Sequence, residues 1–315
     1  MYLQPDEGGP PAVSSGIKLI DLGFMDTPGV IASYLLVGDN ELTLIETGPA
    51  STRTHLEAGL RAAGWSLGDV SRIVITHIHL DHGGAAGAIM RDHPRIRLSV
   101  HPFGASHMVD PSRLISSAGR IYGDRMERLF GEVVGVPEDR VDHLTDGDVV
   151  ELSGRPLRML FTPGHAAHHV AIFDELTRTL FTGDVGGVRV TGSAFVAPPT
   201  PPPEFAPDQW RDSIEVLRRM QPSRLALTHF GFFDDVDAHL DRLVPGLETV
   251  IGIASEALSG DDNLEVLTAR LLEFERESIE GPGASRALEQ LELASPAYVS
   301  AMGLQRYLKK RSVLA

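Results

Sequence analysis

Four short segments hold the residues that could do chemistry. The densest is THIHLDHGG at 76–84, which sets His77, His79, Asp81 and His82 within six positions, directly after an apolar run. Imidazoles and carboxylates at the end of a buried strand need partners, and a first-row metal ion is one. In a strand-to-loop turn, His77 and His79 can converge on one ion while Asp81 and His82 face a second. Gly83 and Gly84 permit the close backbone packing such a turn requires. TPGHAAHH at 162–169 adds His165 as a third ligand for the first ion, with His168 and His169 read as loop or supporting residues. FTGD at 181–184 ends on Asp184, a carboxylate able to bridge two cations and reduce their mutual repulsion. LTHFG at 227–231 supplies His229 to complete the second ion. Each segment alone has a blander reading: a hydrogen-bonded histidine cluster, a turn histidine, an Asx-turn aspartate, a satisfied strand-end histidine.

Taken together, the expected shells are His77, His79, His165 and Asp184 around one metal, and Asp81, His82, His229 and Asp184 around the other. A water bridging two cations loses a proton more readily and supplies hydroxide near neutral pH, while the cations polarise a carbonyl. Asp81 is the candidate catalytic residue, orienting the hydroxide while it also binds metal.

The elements that must position these residues are legible from periodicity. IKLIDLGF, VIASYLLVG and ELTLIETG read as strands, with Gly38, Asp39 and Asn40 as a hairpin turn between the last two. A helix-period stretch at 54–65 precedes the strand RIVITH. A helix starts near Ala85, IRLSVHP is another strand, and 103–140 reads as helical and irregular, able to cover a site. Strands return over 141–174 and at TLFTGD, followed by a long loop at 185–207 containing PPTPPPEFAP; loops of this length are often functional. A helix at 208–220 leads to the strand RLALTHFG. Two strand groups, each followed by helix, predict two packed sheets with helices outside. The domain reading is a loose segment at 1–16, a main domain at 17–236 and a helical extension at 237–315, packed on or beside the main domain.

Composition narrows the chemistry. There are no cysteines, which removes disulfides, thiolate ligands and thiol nucleophiles. Two divalent ions, zinc first and iron or manganese next, suit the remaining donors. A formal charge of −15 opposes a broad nucleic-acid footprint, and the short LKKR at 308–311 reads as a solvated helix end. No apolar run is long enough to cross a membrane, and the N-terminal stretch lacks the pattern of a signal peptide, so the expected compartment is cytoplasmic. A homodimer is one use of the helical tail; covering the active site is the other.

The ordered set THIHLDHGG, TPGHAAHH, FTGD and LTHFG resembles the metallo-β-lactamase superfamily over roughly residues 17–236, especially its glyoxalase-II-like and lactonase-like branches. The resemblance implies an α+β fold, an αββα sandwich with a dinuclear centre at one edge of its sheets, and the ligand assignments above. One departure is IETG, where the family often has Asp and this chain has Glu46, expected to support the site from behind the ligands. The resemblance also implies hydrolysis, with a small ester, thioester or lactone as the best-fitting substrate. Three alternatives are a small-molecule phosphodiesterase, a mononuclear iron sulfur dioxygenase and a non-catalytic metal-stabilised interaction domain. A β-lactamase fits less well for lack of a secretion signal, and a nuclease for lack of basic tracts. Tyr122, Phe195, Phe230 and Phe232 are candidate substrate contacts, and Arg189 a candidate partner for a substrate carboxylate or phosphate.

Overall fold

The computed structural model describes residues 16–38, 41–259 and 263–314. All but the last residue of the segment expected to be loose, and Asp39 and Asn40 of the expected turn, lie outside them. The first sheet runs in sequence order through β1 (Ile17–Asp21), β2 (Ala32–Val37), β3 (Leu42–Ile45), β4 (Val70–Val74), β5 (Arg97–Val100) and β6 (Val141–His143). Its first three strands pair antiparallel and the rest parallel. The second sheet contains β7 (Val149–Leu152), β8 (Arg155–Phe161), β9 (Val170–Asp174), β10 (Thr179–Phe181), β11 (Arg224–Leu227) and β12 (Gly231–Phe233), again in sequence order across the sheet. All its pairs are antiparallel except β10 with β11.

Period-two alternation decides the layering. On β2, Ala32, Tyr34 and Leu36 enter the space between the sheets, whereas Leu35 joins the core on the outer face. On β9, Val170 and Ile172 face the first sheet, and Ala171 and Phe173 face outward. Helices cover both outer faces. Over the first sheet lie α1 (Arg53–Ala62), which buries Leu56 and Leu60 one turn apart, α2 (Leu80–Gly83), α3 (Ala86–Asp92) and α4 (Pro102–Val109). Next in the chain come α5 (Ser112–Tyr122) and α6 (Met126–Phe130). Over the second sheet, α7 (Pro207–Arg219) and α8 (Val236–Ala257) bury Trp210, Leu217, Leu240, Leu243 and Leu247 against Leu225 and Leu227. The result is the expected αββα sandwich.

The tail continues through α9 (Leu264–Ser278), α10 (Ala284–Ala294) and α11 (Ala297–Leu314). Leu267, Leu271, Ala301 and Leu304 belong to the same core as the second sheet. α11 meets the Pro-rich loop at Gly303, where an added Cβ would sit 1.9 Å from the Thr200 carbonyl oxygen. Thr200 Oγ1 donates to the Ser300 carbonyl at 3.2 Å in the same contact. Among the described residues no helix is long and apolar enough to cross a membrane.

Candidate metal centre

β4 delivers Thr76 and His77 at its end, and the loop before α2 delivers His79. His79 Nδ1 lies 2.8 Å from His77 Nε2 and 3.0 Å from His165 Nε2, the latter brought in by the turn after β8. Asp184 follows β10 in the tight turn Gly183–Gly186. Gly183 has φ +49°, and a Cβ there would come within 2.5 Å of His169 Nε2. The missing side chain lets His169 Nε2 accept the Asp184 N–H at 3.1 Å, which fixes the turn.

The two Asp184 oxygens divide between two groups. Oδ2 lies 3.3 Å from His165 Nε2 and 4.0 Å from His77 Nε2, while Oδ1 lies 3.1 Å from His82 Nε2 and 3.5 Å from His229 Nε2. Asp81 Oδ2 stands 3.5 Å from His229 Nε2 and 3.8 Å from His82 Nε2. His77, His79, His165 and Asp184 form one group whose ligand atoms all lie within 4.8 Å of one another, and Asp81, His82 and His229 form a second.

The other imidazole nitrogens are tied to groups behind them. His165 Nδ1 is 2.9 Å from the Pro199 carbonyl, His229 Nδ1 2.9 Å from the Val30 carbonyl, and His82 Nδ1 3.1 Å from Glu46 Oε1. Such contacts fix the ring so that Nε2 faces the ion. Glu46 is fully buried with φ +64°, and the Thr76 and Thr228 hydroxyls also donate to it. Here the longer acid reaches His82 from a strained backbone. Trp210 closes the rear: its indole N–H donates to the Val185 carbonyl and its ring meets His165 edge-on.

Burial would hold every one of these imidazoles neutral, and it does so in the first group. His77 lies well below the ordinary histidine range, through burial and then the neighbouring His82 and His79; His79 falls to about 3. In the second group burial pushes His82 down, but Asp184, Asp81 and Glu46 outweigh it and carry it well above the ordinary range. His229 rises against burial because of Asp184 and Asp81. Burial raises Asp81, yet His82 and His229 bring it to about 2.

The donor set fits cations. His82 Nε2, His229 Nε2 and Asp184 Oδ1 are buried without a hydrogen-bond partner, so three polar atoms converge on a space that nothing else in the chain satisfies. Imidazole and carboxylate donors around a shared carboxylate make this a buried dinuclear metal-binding site, the active site of a metal-dependent hydrolase.

A cavity of about 540 Å³ opens on His79, Asp81, His165 and Asp184. Tyr122 lines it; burial, then the charge of Asp81, pushes its hydroxyl upward, so it stays a neutral donor. Pro199, Glu204 and the junction of α10 and α11 also line it. Four other expected contacts sit elsewhere. Arg189 pairs with Asp235 at 2.7 Å and lies over the Phe233 ring; Phe195 packs on Phe274; Phe232 packs on Tyr34; and Phe230 joins the core between the sheets. His168 lines the cavity, 3.6 Å from the Glu204 carboxylate. Sequence reasoning missed Arg113, Arg120, Phe103 and His107 at the cavity. The signal available for the arginines was an i, i+4, i+7 pattern over 113–121.

Comparison with known proteins gives a concordant picture. The family model described as the metallo-beta-lactamase superfamily matches residues 26–229. The chain is similar to the metallo-beta-lactamase fold-containing protein ST1585 of Sulfurisphaera tokodaii, 23% identical over 252 residues, covering 78% of this chain and 91% of that one. It is 27% identical over 187 residues to a hydroxyacylglutathione hydrolase of a Synechococcus species, covering 59% of this chain and 58% of that enzyme. Its fold resembles a beta-lactamase domain protein of Burkholderia ambifaria, with TM-score 0.67, 19% identity, and coverage of 97% and 92%.

Proposed function

Since the chain belongs to the metallo-β-lactamase superfamily, we propose that it hydrolyses a small ester, thioester or lactone, with zinc as its metal and the cytoplasm as its compartment. The observation that carries this reading is the division of the Asp184 oxygens between two histidine groups beside a cavity. The Synechococcus relative is named for hydrolysis of a hydroxyacylglutathione, which supports an acyl substrate.

His77, His79, His165 and Asp184 would hold one ion, and Asp81, His82, His229 and Asp184 the other. When bound, the ions supply Lewis acidity to a carbonyl and acidify a water. Asp81, ionised and open to the cavity, accepts a hydrogen bond from the attacking water and turns its lone pair toward the acyl carbon. The neutral Tyr122 hydroxyl donates to the oxygen on which charge develops. Glu46 holds His82 in place, and the apolar cavity wall excludes bulk water from the acyl group. The region 237–315 is proposed as an extension of the main domain that completes this wall.

Elemental analysis of protein prepared without added metal, followed by hydrolysis assays on thioesters, lactones and phosphodiesters, tests the proposal. Two ions per chain and acyl cleavage support it. One iron per chain with sulfur oxidation, or phosphodiester cleavage alone, overturns it.

A further inference from the structure

α5 is amphipathic in an unusual place. Arg113, Ser117 and Arg120 form one stripe at i, i+4, i+7, and Leu114, Ala118 and Ile121 form the stripe next to it. Both stripes line the cavity that opens on the metal-binding residues. None of the helix's residues is fully buried, so the apolar stripe faces the cavity instead of a protein core. The two arginines lie about 10 Å apart along the helix, from its rise of 1.5 Å per residue.

Asp and Glu outnumber Lys and Arg by 43 to 28, and several arginines are spent on carboxylates. Arg72 and Arg97 share Asp142, Arg155 pairs with Asp174, and Arg211 pairs with Glu248. Among the described residues, Arg113 and Arg120 form no ion pair. Arg120 donates only to Ser116 Oγ at 3.3 Å, and the nearby Asp110 feels the charge of Arg113 from beyond pairing distance. His107 lines the same side of the cavity, and the opposing Glu204 carboxylate is engaged by the Ala167 N–H at 2.9 Å.

We propose that α5 selects an amphiphilic acyl substrate, its apolar chain against Leu114, Ala118 and Ile121 and an anionic group, phosphate or carboxylate, on Arg113 and Arg120. Guanidinium forks bind both anions in the same two-point manner. This rests on the hydrolase reading above and narrows it: a neutral lactone leaves the arginines unused, whereas an ester or thioester whose non-acyl part is charged employs them.

The test uses two thioethers that cannot be cleaved, S-decyl-phosphopantetheine and S-decyl-pantetheine, which differ by one phosphate. Calorimetric binding to the metal-loaded protein should favour the phosphorylated compound by about tenfold or more, as expected for charge-assisted hydrogen bonds. The preference should shrink as salt rises. It should vanish in Arg113→Glu/Arg120→Glu and survive in Arg113→Lys/Arg120→Lys. Replacing phosphate by carboxylate on the pantetheine ranks the two anions. Equal affinity for the charged and neutral thioethers overturns the proposal, as does a preference that persists through charge reversal. The matching decanoyl thioesters separate the two readings. Selective binding without cleavage overturns the hydrolase and leaves the anion site standing; cleavage without selectivity does the reverse.

Discussion

The two metal-binding groups are built from the same residue types and solve burial in opposite ways. His77, His79 and His165 are kept neutral by burial and by one another, so their lone pairs are ready for an ion. His82 and His229 sit among Asp81, Asp184 and Glu46 and gain affinity for protons. One side is a set of free donors; the other is a cluster of acids that raises the proton affinity of its imidazoles. What separates them is the number of carboxylates: Asp184 alone serves the first group, whereas three acids face the second.

Four measurements would break or sharpen that contrast. The largest effect is expected from Asp184→Ala, which removes the carboxylate both groups share. Metal content should fall from two ions to one or none, and kcat/KM roughly a thousandfold, the scale of several kcal/mol of lost metal catalysis. Normal stoichiometry in this variant would show that Asp184 is not a bridge. Next, His229→Ala and His165→Ala should each lose one ion, the former from the second group and the latter from the first, with roughly hundredfold losses of activity. Anomalous diffraction distinguishes the two, and loss of both ions from either variant would argue against separable groups.

Glu46→Gln should act on the second group alone, lowering its metal affinity about 10- to 100-fold while leaving the first within a factor of three. Competition with a chelator reads both. The smallest effect is the pH dependence of the metal-stripped protein. The pKa of His79 is depressed to about 3 in the fold, so between roughly pH 6.5 and 3 the unfolded chain binds a proton that the folded chain does not. Stability therefore falls with acid over that window, by on the order of 5 kcal/mol for this group. His82 has the opposite sign: its raised pKa gives stability that is full below about 6.5 and is lost as pH rises through the folded value. Denaturation of His79→Gln should show a shallower acid slope, and an unchanged slope would remove the first half of the contrast.

The metal-binding residues were readable in the chain because each ends an apolar strand, a place where a polar side chain must answer for its burial. Glu46 was readable for the same reason, at the end of β3. Arg189 was not: its partner Asp235 lies 46 residues further on, and nothing local distinguishes a cation that will pair from one that will meet substrate. The sandwich followed from alternation, but β12 did not. Its three residues directly follow His229 and Phe230, and pairing with β11 rather than local pattern makes them a strand. The cavity was least legible. Its walls come from α5, the Pro-rich loop and the α10–α11 junction, which only tertiary packing brings together.

The seat of Gly303 against Thr200 has a consequence for how this catalyst can diversify. The same loop that takes α11 at Thr200 presents the Pro199 carbonyl to His165 and continues along the cavity wall. A change of volume at the helix would be felt along this loop, by the wall at Pro201 and Pro202 and by His165 through the Pro199 carbonyl. This contact thus couples the tail both to the cavity wall and to a metal-binding histidine. Redesigning the tail would therefore retune the cavity wall and the seating of His165 together.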